Sequence, residues 1–133
     1  MKTVTDENIL YGKRIAIVGA GVSGLAAAKL GSYKGAKVRI LESNPDAVKA
    51  DKASWLEDNG IDILYGEHSS GQFENCDLVI LSPGIPAGQI RDLLPGENKI
   101  PMYSELEFAY WFTDPQIVGV TGTNGKTTTV RLI

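Results

Sequence analysis

The sequence predicts an α/β fold: an open parallel sheet of about five strands with helices on both faces. Three observations predict it. Strand-like and helix-like segments alternate along the chain, the order that βαβ units require. The strand-like segments are continuous apolar runs without polar alternation, as strands covered on both faces must be. The first of these runs, Arg14 to Val18, passes directly into a glycine loop that opens a helix.

Each element has its own signal. Arg14 to Val18 is rich in β-branched residues and reads as the first strand. From Val22 the apolar positions Val22, Ala26, Leu30 and Tyr33 recur at helical spacing and mark a helix. Gly35 closes that helix as a C′ residue. Lys37 to Leu41 is a second strand. Asn44-Pro45-Asp46 offers a capping residue, a proline for the first turn and an acid for the positive end of the helix dipole. A helix is therefore expected over 45–59, with Val48, Trp55 and Leu56 on one face and Asn59-Gly60 as its stop. Ile61 to Tyr65 and Asp77 to Leu81 are the third and fourth strands, joined by a polar surface loop, Gly66 to Asn75.

Ser82-Pro83-Gly84-Ile85-Pro86 ends the fourth strand, and a short helix follows from about Gly88 to Leu94, broken by Pro95-Gly96. Ile100 to Tyr103 is a fifth strand. Ser104-Glu105-Leu106-Glu107 has the S-x-x-E spacing of a capping box and opens a helix through Trp111. Asp114-Pro115 reads as a linker, and Gln116 to Thr121 as one more apolar strand. Trp55, Tyr110, Trp111 and Phe112 are expected to pack helix faces on the sheet, His68 to be solvated, and Cys76 to be a small packed hydrophobe, not a nucleophile.

Composition narrows the function classes. In 133 residues there are 13 basic and 16 acidic side chains, a net charge of −3, which argues against a general nucleic-acid or membrane-surface binder. One cysteine permits no internal disulfide, and one histidine beside it makes a poor basis for structural zinc. No apolar run has the length of a membrane span or signal peptide, so a cytoplasmic protein is expected.

The chemistry lies in two glycine loops. Gly19-Ala20-Gly21-Val22-Ser23-Gly24 fits G-x-G-x-x-G between a strand and a helix. The first glycine allows a tight turn, the second lets the backbone approach a diphosphate, and the third lets the helix pack closely. The amides of Val22, Ser23 and Gly24 at the helix start make an anion site. Glu42 ends the second strand, where an acid grips a ribose hydroxyl in dinucleotide enzymes. By itself this motif does not say which nucleotide is bound. Gly19 to Glu42 also looks like the opening of flavin-dependent amine oxidases and NAD dehydrogenases, so an FAD- or NAD-binding oxidoreductase domain is the alternative.

The second loop, Thr121-Gly122-Thr123-Asn124-Gly125-Lys126-Thr127-Thr128, also follows an apolar strand and matches the G-K-[ST] end of a P-loop. Its amides would wrap phosphates, Lys126 would reach the β/γ oxygens, and the Thr127 hydroxyl would bind Mg²⁺. Val120 stands where the full pattern has its first glycine. Between the loops, Ser82, Pro83 and Gly84 lie at the carboxyl end of a strand. They could meet a second phosphate face or simply form a strand-ending turn.

Together, the first glycine loop, Leu41-Glu42-Ser43, Ser82-Pro83-Gly84-Ile85-Pro86, Ser104-Glu105-Leu106-Glu107 and Val120 to Thr127 resemble the Mur ligases of peptidoglycan synthesis, in particular the members that add D-glutamate. The resemblance implies a Rossmann-like domain over 1–113 that binds the UDP moiety of UDP-N-acetylmuramoyl-L-alanine. Gly21, Val22, Ser23, Ser82, Pro83 and Gly84 would hold the diphosphate, with Glu42 and Ser43 by the uracil or its ribose. It implies that 114–133 are a linker, strand and P-loop start of an ATPase domain, with Gly122 to Thr128 binding ATP and Thr127 serving Mg²⁺. In such ligases ATP phosphorylates the alanine carboxylate and the D-glutamate amine attacks the acyl phosphate. The chain stops at Ile133, soon after Thr127, so an N-terminal portion without ligase activity of its own is expected. The apolar stretch 116–133 is expected to be mobile or to pair with another edge, including that of a second copy.

Overall fold

The computed structural model describes residues 8–97 and 100–113. Five strands, β1 (Arg14–Val18), β2 (Lys37–Glu42), β3 (Asp62–Tyr65), β4 (Leu78–Leu81) and β5 (Met102–Ser104), form one sheet in the order β3-β2-β1-β4-β5. Every neighbouring pair is parallel. The helices are α1 (Val22–Tyr33), α2 (Ala50–Asp58), α3 (Ala87–Arg91) and α4 (Glu105–Tyr110).

Strand parity builds a core on each face. Ile15, Ile17, Val38 and Ile40 point to one side and pack with Ala27 and Ala28 of α1, Leu56 of α2 and Phe108 of α4. Ala16, Val18, Leu41 and Val79 point to the other and pack with Phe73, Ile90 and Leu94. The expected α/β architecture with two covered faces is thus the observed one. The stretch 116–133, its linker and its phosphate loop lie outside the described residues.

Several local expectations change. The face of α1 that meets the sheet is Gly24, Ala27, Ala28 and Gly31, while Val22 and Tyr33 are each 86% exposed. The helix sits too close for larger residues: a Cβ on Gly31 would stand 3.1 Å from Val38 Cγ2. Of the bulky residues at helical spacing, Leu30 packs half-buried on the first core cluster, while Val22 and Tyr33 point outward. Helix α2 begins at Ala50, not at Pro45, with Lys49 as its N-cap. Asn44 Oδ1 accepts the Asp46 N–H at 3.0 Å, spending the capping group on a local Asx turn. Val48 is buried ahead of the helix, and Trp55 is 42% exposed under Lys29 Nζ at 4.9 Å instead of lying in the core.

Both long helices end as the sequence predicts. Gly35 (φ +85°) donates to Ser32 O and Ala36 to Gly31 O, both at 3.0 Å. Gly60 (φ +72°) donates to Glu57 O and Ile61 to Leu56 O, both at 2.9 Å. Each pair satisfies the last carbonyls in a Schellman motif.

The loop over 66–75 is not wholly polar surface. It carries a 3₁₀ turn, Ser70–Phe73, that drives Phe73 to 0% exposure, and His68 is half-buried with Nδ1 enclosed and unbonded among the described residues. Cys76 packs half-buried against the second core cluster as expected, and burial pushes its thiol pKa up. Phe108 is the buried aromatic of α4, while Trp111 and Phe112 lie half-buried edge-to-face against it.

The capping box of α4 is present: Ser104 Oγ accepts the Glu107 N–H at 3.2 Å and Glu107 Oε2 accepts the Ser104 N–H at 2.7 Å. The bond from the Ser104 backbone, with its hydroxyl adding, holds the Glu107 carboxyl below its usual pKa. A lowered folded-state pKa gives stability that is present above the unfolded value and is lost as pH falls through the folded one. Ser104→Ala is expected to cost about 1 kcal/mol by urea unfolding at pH 7. The gap between the parent and Glu107→Gln should narrow as pH falls below the ordinary glutamate value of about 4.3 and close below the lowered folded-state pKa. A gap independent of pH would contradict this account.

Candidate functional site

The order in which strands are added to the sheet reverses between β1 and β4, which run parallel. From β1 the chain winds to β2, and from β4 to β5 on the opposite side. In open parallel sheets the crevice outside the carboxyl ends at such a point takes the ligand. Here those ends carry Gly19 and Ser82.

The three glycines of the first loop differ in what they allow. Gly19 has φ +102°, and a Cβ there would stand 2.7 Å from Ser82 Oγ. A Cβ on Gly24 would run into the Gly19 carbonyl oxygen. A Cβ on Gly21, the N-cap of α1, meets nothing within 4 Å. Gly19 and Gly24 are thus required by the protein itself, and Gly21 leaves open space. Behind it, the first helical amide to find a backbone partner is Leu25, bonded to Gly21 O at 2.9 Å. The amides of Val22, Ser23 and Gly24 donate to no group among the described residues, and the first turn holds no acid and no side-chain cap. This is the field an oxyanion needs.

Glu42 supports the loop from behind. Its Oε2 accepts the Ala20 N–H at 2.7 Å and its Oε1 the Asn44 N–H at 2.9 Å, so one carboxylate ties the glycine loop to the end of β2. Ser43 beside it is exposed. Removing the acceptor leaves the amide of Ala20, a residue only 3% exposed, without its bond. Glu42→Ala is expected to lower stability by about 1–3 kcal/mol, and Glu42→Gln, which keeps an acceptor, by less. Urea unfolding of the two variants checks the order, and equal losses would count against this role.

Ser82 joins three segments. Its hydroxyl donates to Glu105 Oε1 at 2.7 Å, with Gly19 O a longer alternative at 3.3 Å. A hydroxyl has one proton, and the short bond to a carboxylate is the stronger. Gly84 holds φ +87° with open space where a Cβ would be.

A cleft of about 950 Å³ runs between α1, the turn after β4 and α4. The structure brings Val22, Ser23, Ser82, Pro83 and Gly84 to its wall, with Gly21 in the adjoining loop. Glu42 and Ser43 are not among its lining residues. Val22 and Ala26, exposed on α1, and the half-buried Leu30, which also packs on the first core cluster, line this space. Glu105, Tyr103 and Arg91 also line it, and sequence reasoning did not single them out as site residues. Glu105 had one usable signal: it follows the carboxyl end of a parallel strand. Gly122, Thr123, Asn124, Gly125, Lys126, Thr127 and Thr128 lie outside the described residues. Among the described residues no group of three or more His, Cys, Asp or Glu could hold a metal, and no helix is long and apolar enough to cross a membrane.

Comparison with known proteins gives a consistent result. The family described as "Mur ligase MurD-like, N-terminal domain" matches residues 13–91. The UDP-N-acetylmuramoylalanine–D-glutamate ligase of Nitratidesulfovibrio vulgaris (strain Miyazaki F) is 42% identical over 130 residues, covering 96% of this chain and 29% of that protein. The chain thus spans about three tenths of the length of the curated relatives it matches and corresponds to their N-terminal portion. Among solved structures, a pseudomurein peptide ligase type C from Methanothermus fervidus superposes with TM-score 0.62 at 26% identity, over 89% of this chain and 24% of that one. SirC, a precorrin-2 dehydrogenase, superposes with TM-score 0.56 at 16% identity, over 77% of this chain and 48% of that one, a likeness of fold alone.

Proposed function

Because this chain belongs to the Mur ligase family, as a MurD-like N-terminal domain, we propose that it is the part of a D-glutamate-adding ligase that binds the UDP end of UDP-N-acetylmuramoyl-L-alanine. The observation that carries the proposal is the open space at Gly21 in front of the unbonded amides of Val22, Ser23 and Gly24, across the cleft from the turn Ser82 to Gly84. A diphosphate seated there meets the helix-start amides on one wall and the Ser82 to Gly84 turn on the other, and the rest of the cleft, largely apolar at Val22, Ala26 and Leu30, leaves room for the attached sugar. Glu42 and Ser43 lie on the β2 side of the loop, where the nucleoside end would extend. Glu42 acts on it through the loop it clamps.

In the same proposal 1–113 form the UDP-binding domain and 114–133 lead into an ATPase domain. Gly122 to Thr128 take ATP with Mg²⁺ on the Thr127 hydroxyl, a reading that rests on the sequence motif. The full ligase then joins D-glutamate to the alanine carboxylate in the cytoplasm, and the 133 residues bind substrate without completing that reaction.

Calorimetry with UDP-N-acetylmuramoyl-L-alanine, UDP, NAD and FAD tests the substrate. The uridine compounds are expected to bind, with amide shift changes at Gly19 to Gly24 and Ser82 to Gly84. Binding of NAD or FAD without any response to UDP would overturn the proposal.

A further inference from the structure

A second cleft, of about 390 Å³, opens at the other edge of the sheet. Arg14 and Lys37 are the first residues of β1 and β2, so this cleft lies about 15 Å from the glycine loop, a strand length away. Arg14, Lys37 and Arg39 line it together with Asp62, Glu74 and Cys76.

The three cations share one face by strand parity, the face on which Ala16 and Leu41 are buried. Arg14 stands directly opposite Lys37 in the β1–β2 register. Like charges in facing positions on one side of a sheet repel and destabilise it. Among the described residues the side chains of Arg14, Lys37 and Arg39 form no ion pair, although Asp62 faces Arg39 in the β2–β3 register and Asp77 Oδ2 accepts the Arg14 backbone N–H at 2.8 Å. Arg39 is anchored, its Nη1 donating to Gln72 O at 3.1 Å, which leaves the other guanidinium donors free.

We infer that this cleft binds a small phosphate bearing a hydroxyl group, held by Arg14, Lys37 and Arg39 with its hydroxyl donated to Asp62 or Glu74. Guanidinium groups match phosphate oxygens in pairs, and a compact ammonium adds a point charge. The carboxylates on the same wall disfavour a bare oxyanion and accept from one that carries a proton. Binding also removes the Arg14–Lys37 repulsion, so it stabilises the fold.

The chain has one cysteine, and it lines this cleft, so Cys76 is an unambiguous reporter. Alkylation of Cys76 is followed at constant ionic strength with inorganic phosphate, glycerol 3-phosphate, or sulfate, which has no hydroxyl to donate near neutral pH. Phosphate is expected to slow alkylation several-fold and saturably and to raise the melting temperature. The lower midpoint of the two phosphates tells free phosphate from an ester. In the double variant R14Q/K37Q, whose side chains are both exposed, the protection should vanish while the ligand-free protein melts no lower than the parent. An unchanged rate with phosphate, equal protection by sulfate, or protection that survives in the double variant would each overturn the inference.

Discussion

Gly24→Ala is expected to unfold the chain or to lower its melting temperature by at least about 12 °C, whereas Gly21→Ala is expected to fold normally and to lose affinity for the proposed diphosphate. The new methyl group at residue 24 lands on the carbonyl oxygen of Gly19, a backbone atom fixed by its place in the turn. Relief requires α1 to move away from β1, and α1 meets the sheet through Gly24, Ala27, Ala28 and Gly31 with no slack. Overpacking of this kind costs about 3 kcal/mol or more, and a domain of this size loses about 4 °C per kcal/mol. At residue 21 the methyl group enters empty space. A poorer N-cap and a stiffer unfolded chain roughly cancel, leaving stability within about 1 kcal/mol of the parent. The methyl group nevertheless occupies the approach to the Val22, Ser23 and Gly24 amides. Affinity for UDP should fall at least tenfold, about 1.4 kcal/mol, by calorimetry. If Gly21→Ala bound UDP as the parent does, the diphosphate would not lie on this loop.

Phe73→Ala should cost about 3–5 kcal/mol, among the largest losses available to a single side chain here. The ring has no exposed surface and fills the second face between Ala16, Val18, Leu41 and Val79. It hangs from one 3₁₀ turn, whose entry is fixed by the Ser69 N–H donating to Gln72 Oε1 at 3.0 Å. Among the described residues no long helix covers that part of the sheet, so little can collapse into the cavity. The urea midpoint of Phe73→Ala should therefore drop sharply with an unchanged slope. A loss below about 1 kcal/mol would show that the turn is a lid and not core.

These two cases also show what the sequence makes legible. Strand positions and the site loops were legible because their signals are local: apolar runs, G-x-G-x-x-G, a proline-glycine turn after a strand. The Schellman ends at Gly35 and Gly60 and the box at Ser104 and Glu107 follow from the same kind of signal. What was not legible depends on packing between distant segments. The working face of α1 is set by how closely β2 approaches it. Phe73 is buried because a polar stretch folds over an apolar sheet. Glu42 offered the signature of a ribose ligand and is found clamping Ala20, a bond across 22 positions that no local pattern announces.

The bond from Ser82 to Glu105 bears on the proposed diphosphate site. The crevice already houses a negative group, tethered by the same proton that an oxyanion bound there would claim. A guest that takes that proton must evict this resident carboxylate, and the carboxylate regains its tether when the guest departs. Release is thereby eased at the expense of grip.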